Sequence, residues 1–465
     1  MNVVWFRSDL RARDNLALAG ALAGALEGGD VVALYIATPG QWQVHSDAPV
    51  KLDFWRRNLD ALDHTLGELN IPLVTCEVSD YDAVTDVFAS VFANWPVQSL
   101  HFNAEYPINE MRRDLAVTEL AIEAGVKVHS HQDQVLLPPG SVLNMSGEPF
   151  KVFTPFSKKC RVMLHVPDKP VSLKKISSKP LPPTVAGQKS LSELSWPKPD
   201  THWAELWPAG EKTALKKLKV FCSKGISAYK NDRDFPAQPG TSTLSPWLTA
   251  GVISVRDCWR QATSNHVGEG PETWKNELLW REFYKHIIYH YPHINMHKAF
   301  RRELDTIPWR EDEQQFDAWC DGRTGIPIVD AAMRQLKETG WMHNRLRMIT
   351  AMFLSKNLLI DWRRGEQWFM EHLVDGDFSA NNGGWQWSAS TGTDAAPYFR
   401  IFNPVTQSQR FDGEGSFIRQ YVPELAELDN KSIHDPGLLR PEKYPLPIVD
   451  LKSSRERALA VFKNN

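Results

Sequence analysis

"NVVWFRSDLRARDNLALAGALAGALEGGDVVALYIA", residues 2–37, decides the fold. Its two ends are runs of β-branched and aromatic residues, "NVVWF" and "VVALYIA", and between them "LALAGALAGAL" at 16–26 has helical composition. Apolar runs that do not alternate with polar residues suit strands covered on both faces, as in a parallel sheet flanked by helices. The stretch therefore reads as a βαβ unit. Its helix carries glycine at 20, 24 and 28, a small-xxx-small spacing also used by membrane helix pairs. A bilayer span needs about 18–20 apolar residues, so this shorter helix reads as one packed closely on a sheet.

The pattern continues through "PLVTCEV", "SLHFN" and "VKVHSH", each separated by segments of helical periodicity. Residues 1–130 are thus expected to form a doubly wound, Rossmann-like parallel sheet, which binds ligands at the carboxyl ends of its strands. Neither GxGxxG nor GxxxxGK[ST] occurs, so no glycine-rich phosphate loop announces the ligand. Residues 131–209 read as an interdomain linker, with "HVPDKPVSLKKISSKPLPPTVAGQKSLSELSWPKPD" rich in Pro, Lys and Ser and free of periodicity. From 210 to 465 helix follows helix. The fold class expected is α/β plus all-α.

Composition excludes several classes. The five cysteines are scattered and never spaced as CxxC, which argues against disulfides and a zinc ribbon. With no secretory-type leader and no membrane-length apolar run, a cytoplasmic protein is expected. The net charge of -3 carries no global signature of nucleic-acid binding. Locally, Arg345, Arg347, Lys356, Arg363 and Arg364 face a single acid, Asp361, between Trp341 and Arg364. Such a run is either a phosphate-contacting patch or a solvated face.

Nine of the eighteen tryptophans fall between Trp274 and Trp387, and their neighbours are not aliphatic. In "NELLWREFYKH", Glu277, Trp280, Arg281 and Tyr284 follow helical spacing, so an acid, an indole, a guanidinium and a phenol share one face. In "GWMHNRLRMITAMF", Asn344, Arg347 and Met348 share another, which suits either a grip on a polar heterocycle or ordinary helix packing. "GTSTLSPWLTAG" at 240–251 offers Ser245 as an N-cap before Pro246, preceded by Thr241, Ser242 and Thr243: a plain cap, or an anion site. His286, His290, His293 and His297 are interrupted by Pro292, and no HExxH accompanies them, so no metal site is expected.

"VWFRSDLRARDNLAL", "KVFTPF", "RDFP", "GTSTLS", "NELLWREFY", "GWMHNRLRMITAMF" and "DGDFSANNGGWQWSASTGTDAAPYFRIFNP" together resemble the photolyase/cryptochrome flavoproteins. The similarity runs in order along essentially the whole chain, and is strongest to the class I cyclobutane pyrimidine dimer DNA photolyases of bacteria. It implies an antenna domain, a helical domain holding non-covalent reduced FAD, and light-driven splitting of a thymine dimer flipped out of DNA. Tyr229, Arg233, Thr241, Ser242, Thr243, Leu244 and Ser245 would hold the FAD phosphates. Asn344, Arg347, Asp375, Gly376, Asp377 and Asn381 would surround the rest of the cofactor, with Asn381 facing the flavin N5.

Trp385, Trp362 and Trp309 match the family's electron-relay indoles. Trp280 and Trp387 would meet the dimer, with Met348 nearby. Glu277 and Asn344 would hydrogen-bond the pyrimidines, Glu277 as a protonated carboxyl, while Arg281, Tyr284 and Arg345 would complete the DNA-binding face. His45, Asn109 and Glu110 match contacts to a methenyltetrahydrofolate antenna, with a deazaflavin or no antenna as the alternatives. Met296, in "NMHKAF", departs from the lysine that folate-using relatives can carry, and Lys298 stands two residues on. The resemblance implies a monomer acting on UV-damaged DNA, with no metal and no membrane. A cryptochrome-type photoreceptor is the alternative; Asn381, and His343-Asn344 where a His-His pair would suit (6-4) lesions, favour dimer repair.

Overall fold

The computed structural model describes residues 1–25, 29–177, 182–264 and 267–463; Gly28, the third small position of the first helix, lies outside them. The opening stretch forms β1 (Asn2–Phe6), α1 (Leu16–Ala25) and β2 (Val31–Ala37). With β3 (Leu73–Glu77), β4 (Ser99–Asn103) and β5 (Lys127–His131) it builds an all-parallel sheet in the order β3-β2-β1-β4-β5. Every residue of β1, β2 and β4 is buried, which accounts for the apolar runs of β1 and β2, while β4 also buries Ser99, His101 and Asn103. Chain order reverses between β1 and β4, so the loops leaving their carboxyl ends diverge and open a crevice. Arg7 and Ser8 follow β1 there, and Glu105 follows β4.

The glycines of α1 let it lie close on the sheet. A Cβ on Gly20 would stand 2.9 Å from the His131 ring and 3.0 Å from that of His101, and one on Gly24 would stand 2.9 Å from the Asn2 amide. No helix among the described residues is long and apolar enough to cross a membrane.

Beneath α1, His101 stacks on His129 at 4.5 Å and on His131 at 5.6 Å between ring centroids. Ser99 donates its hydroxyl to Asn2 at 2.8 Å and so accepts from His101 Nε2 at 2.9 Å. That leaves His101 Nδ1 to accept from His131 Nε2 at 3.3 Å. Burial, then the neighbouring His129 and His131, push His101 from 6.5 down to about 3. The unfolded chain therefore takes up a proton that the folded chain refuses, so this contribution to stability is full above about pH 6.5 and is lost as pH falls toward 3. The thermal midpoint is expected to drop between pH 6.5 and 4.5, and to drop less steeply in His101→Gln. Equal slopes would assign the acid sensitivity elsewhere.

Residues 131–209 carry more structure than a bare linker. Their helix Phe153–Met163 packs Phe153, Phe156 and Cys160 against Leu279, Phe283 and Ile287. Further on, Trp196 stacks on Trp42 at 4.8 Å, and Lys189 donates its backbone N–H to the Thr75 carbonyl beside β3.

The helical half is organised by α2 (Glu269–His290), α3 (Asn344–Met352), α4 (Trp362–Met370), α5 (Phe378–Ala389) and α6 (Leu451–Lys463). Helix α5 is packed by α2, α3 and α4, so it lies at the centre of this half. A π-helical turn, Phe353–Leu358, continues α3 and packs on α6. The two halves meet at "SDLRARD": Leu10 donates to the Ala250 carbonyl, and Arg11 donates to that of Gly251 at 3.0 Å. Gly251 has φ +65 and a Cβ there would stand 2.2 Å from the Ser8 carbonyl oxygen, so no other residue fits this contact without displacing the loop.

Candidate active site

Helix α5 sets the site. Asp377 caps it by accepting from the Ala380 N–H at 3.0 Å. One turn on, Asn381 donates its side-chain nitrogen to the Glu366 carbonyl at 2.9 Å, which leaves the amide oxygen as the end free for a ligand. Three residues further a Cβ on Gly384 would meet nothing within 4 Å, so the same face of α5 is open. Gly383 serves a different purpose: a Cβ there would fall 2.2 Å from the Tyr284 ring of α2.

On α2, Trp280 stacks face to face on Phe153 of "KVFTPF", 3.7 Å between centroids and 7° between planes, and leans on Tyr284 at 5.7 Å. Its indole is thereby fixed as a platform. Glu277 accepts a short hydrogen bond from Arg233, and Arg233 lies 3.7 Å from Asp234. Burial pushes Glu277 above the usual carboxylate range, against the opposing pull of Arg233. On α3, Asn344 contacts the Met348 sulfur at 4.0 Å, Arg345 donates to Asp234 at 2.9 Å, and Arg347 donates to both oxygens of Asp375 at 2.9 and 2.8 Å. His343 caps α3 by accepting from the Arg345 N–H at 3.1 Å, which fixes where Asn344 begins the helix.

Trp385 and Trp362 are buried in one apolar cluster, and Trp309 packs against it. The indole N–H groups of all three lack a hydrogen-bond partner among the described residues. Trp385 meets Phe369 edge-on at 5.0 Å, and Trp309 meets Phe462 of α6 at 6.0 Å.

A cavity of about 550 Å³ opens between the halves at the strand crevice. His45, Asn109 and Glu110 line one wall, and Arg281, Lys285 and Asp377 another. Gln41 and Asn109 approach His45 Nε2 with their side-chain nitrogens at 2.8 and 3.2 Å, so that ring nitrogen accepts and Nδ1 carries the proton, 3.7 Å from Glu110. The second Glu110 oxygen is buried without a partner, and burial raises this carboxyl despite the pull of His45.

Residues 2–174 match the family described as DNA photolyase, and residues 274–464 match the FAD binding domain of DNA photolyase. The deoxyribodipyrimidine photo-lyase of Escherichia coli K12 is 44% identical over 99% of this chain and 98% of its own length, and that of Vibrio cholerae is 42% identical over 100% and 99%. The chain belongs to the DNA photolyase family. Among solved structures, a class III photolyase from Agrobacterium tumefaciens aligns with TM-score 0.87 at 38% identity, covering 100% of this chain and 97% of that one. A Synechocystis cryptochrome aligns with TM-score 0.82 at 26% identity, covering 99% of each. Photolyases are thus nearer in sequence than this cryptochrome.

The structure gives several of the expected site residues partners or settings within the chain. Arg233, expected on cofactor phosphates, is paired with Glu277. Arg281, expected on DNA, turns to the interdomain cavity and donates to the Gln134 carbonyl at 2.6 Å, because its position on α2 lies toward Lys285. Asp377 faces the same cavity, where Lys285 binds it at 3.0 Å and holds it far below the usual range despite burial. Gly376 gives its carbonyl to Lys51 of the first half at 2.8 Å. Ser245 is the first helical residue instead of the cap; Leu244 precedes it, and the Ser245 hydroxyl accepts from the Trp341 indole at 3.3 Å. Thr241, Ser242 and Thr243 are half-buried, and Tyr229 is buried beside Arg233.

The basic run 341–364 does not survive as a patch. Arg345 and Arg347 are paired as above, Arg363 pairs with Asp305 and Asp361, Arg364 pairs with Glu313, and Lys356 is buried. Met296 and Lys298 are exposed, and the cavity rim is formed there by their neighbours Asn295 and His297. Glu366 and Lys285 gave no signal in sequence. Glu366 is buried, accepts from the Asn382 side chain at 2.8 Å, and is pushed up to about 7 by burial.

Proposed function

We propose that this chain repairs cyclobutane pyrimidine dimers in DNA under light, as a class I enzyme. The observation that carries the reading is the open face of α5, where the free amide oxygen of Asn381 and the bare backbone of Gly384 lie side by side. An amide oxygen, the Arg347–Asp375 pair and the half-buried hydroxyls of residues 241–245 suit a flavin, its sugar chain and its phosphates. Bound reduced FAD supplies, on absorbing light, the electron that opens the cyclobutane ring and then returns.

The residues of the chain bind, orient and exclude water. Trp280, backed by Phe153, and the half-buried Trp387 offer flat indole faces to the flipped dimer, with Tyr284 behind Trp280 and Met348 beside Asn344. Asn344 and Glu277 reach the pyrimidine carbonyls. A protonated Glu277 can donate, which its burial favours, and a lesion that draws Arg233 onto a DNA phosphate removes the opposing charge. Arg345 stands at the same rim.

The interdomain cavity fits a methenyltetrahydrofolate antenna. The partnerless Glu110 oxygen can accept from an aminopyrimidine edge, and Asn109 stands beside it. A deazaflavin or a second FAD is the alternative; an archaeal photolyase from Sulfolobus tokodaii, 30% identical with TM-score 0.85, is described with two FAD molecules and a novel light-harvesting cofactor. We take the protein to act in the cytoplasm as a monomer.

Purified protein carrying FAD, chemically reduced and lit with near-UV or blue light, is expected to remove dimers from irradiated DNA and to leave them in the dark. Dimers that persist in the light with FAD bound would overturn the repair reading and favour the photoreceptor. The absorption spectrum of the same sample identifies the antenna.

A further inference from the structure

Lys356 is wholly buried, yet among the described residues no carboxylate pairs with it. It sits in the π-helical turn between α3 and α4, donates to the Ser390 hydroxyl at 2.9 Å just past α5, and places its Nζ 3.2 Å from the centroid of the Phe462 ring. Phe462 in turn meets Trp309 edge-on at 6.0 Å. A π-helical turn is an uncommon device that tends to occur at functional sites.

We propose that Lys356 is a positioning residue for the tryptophan relay, holding an uncharged amine beside its outer end so that positive charge can move outward to Trp309. The proposal rests on the assignment of Trp385, Trp362 and Trp309 as that relay. Each light-driven transfer would pass one electron from Trp385 to bound oxidised FAD, with Trp385 refilled from Trp362 and Trp362 from Trp309. The hole left on Trp309 is filled by one electron from external ferrocyanide, which becomes ferricyanide with no proton taken up or released.

A cationic Lys356 two ring contacts from Trp309 would repel that hole inside low-dielectric protein. For unit charges about 10 Å apart at an effective dielectric constant near 20, the repulsion is worth roughly a tenfold change in hole occupancy. Burial pushes Lys356 down to about 6, so the amine is neutral at pH 8 and cationic at pH 5. The charged groups of the surrounding elements are engaged elsewhere. Arg457 of α6 binds the Asn357 carbonyl and Arg310 that of Leu358; Arg364 of α4 pairs with Glu313 of the helix Glu313–Cys320, and Arg363 with Asp361. On α3, Arg345 and Arg347 pair with Asp234 and Asp375. Glu366 of α4 is held by Asn382 and titrates near 7, so wild-type behaviour alone would mix two groups.

The FAD-loaded protein, oxidised and lit in the presence of ferrocyanide, whose electron donation carries no proton, is therefore followed from pH 5 to 8. Wild type is expected to photoreduce about tenfold more slowly at pH 5 than at pH 8, and Lys356→Met to lose most of that dependence while keeping repair by chemically reduced enzyme. Lys356→Arg, cationic throughout, is expected to be slow at every pH. Should that variant not fold, the comparison of wild type with Lys356→Met stands on its own. A pH dependence as steep in Lys356→Met as in wild type, or none in wild type, would overturn the proposal. Trp385→Phe, run alongside, separates it from the relay assignment: photoreduction that survives that substitution refutes the relay itself.

Discussion

Asp14→Ala is expected to cost about 3–5 kcal/mol of stability, the penalty for removing one partner from a buried ion-pair network. Asp14 is 1% exposed and stands at φ +55, and its carboxylate accepts from Ser254 at 2.7 Å, Arg256 at 3.1 Å and Arg260 at 2.6 Å. Arg256 also reaches Asp133 at 2.7 Å, and Arg11 binds Asp133 from the other side. Alanine would leave two guanidiniums of the helical half short of counter-charge inside the seam, and would also give up the aspartate tolerance of a left-handed backbone. Burial resists ionisation of Asp14, but Arg256, Ser254 and Arg260 together hold it below 3.8. Its contribution is therefore present above the ordinary carboxylate range and is lost only as pH falls below it. Urea unfolding followed by tryptophan fluorescence measures the loss, and Asp14→Asn should fall between wild type and Asp14→Ala. A change under about 1 kcal/mol would show the network to be replaceable. The double substitution with Arg256→Met should cost less than the sum of the two, since the residues share one network.

How far such a seam could be read in advance depends on what each residue's neighbours are. The first strands were legible because β1 and β2 are covered on both faces and keep the apolar runs this requires. The shared face of Glu277, Trp280 and Tyr284 was legible because helical spacing is a local property. Arg281 was not: it lies on the edge of that face, and only the neighbouring Gln134 and Lys285 decide that it belongs to the cavity. Arg233, Asp377, Arg345, Arg347 and Arg364 share this fault, since their partners are remote in sequence. Lys356 marks the limit, because a lone lysine reads as solvated until its burial is seen. The Asp14 network had the same obscurity; "RARD" announces charge but not that Ser254, Arg256 and Arg260 close around it.

Trp385→Phe is expected to abolish light-driven reduction of the oxidised cofactor while sparing repair by chemically reduced enzyme. Trp385 is 2% exposed, and a Cβ on Gly365 would stand 2.1 Å from its ring, so α4 comes as close to this indole as a glycine allows. Phe369 and Trp319 fix it edge-on at 5.0 and 6.0 Å. Its N–H has no acceptor among the described residues, which favours transfer of the electron alone over loss of a proton to them. A phenyl ring keeps an apolar occupant in the same clamp but is much harder to oxidise than indole. An added barrier of about 2.7 kcal/mol already slows a step roughly a hundredfold, and at least that loss of photoreduction is expected. Repair does not draw on the relay once the cofactor is reduced, and Asn381, Glu277 and Trp280 lie outside the Gly365 clamp. Equal loss of photoreduction and repair, with FAD content unchanged, would place Trp385 in support of the cofactor itself; intact photoreduction would move the first electron step to another indole.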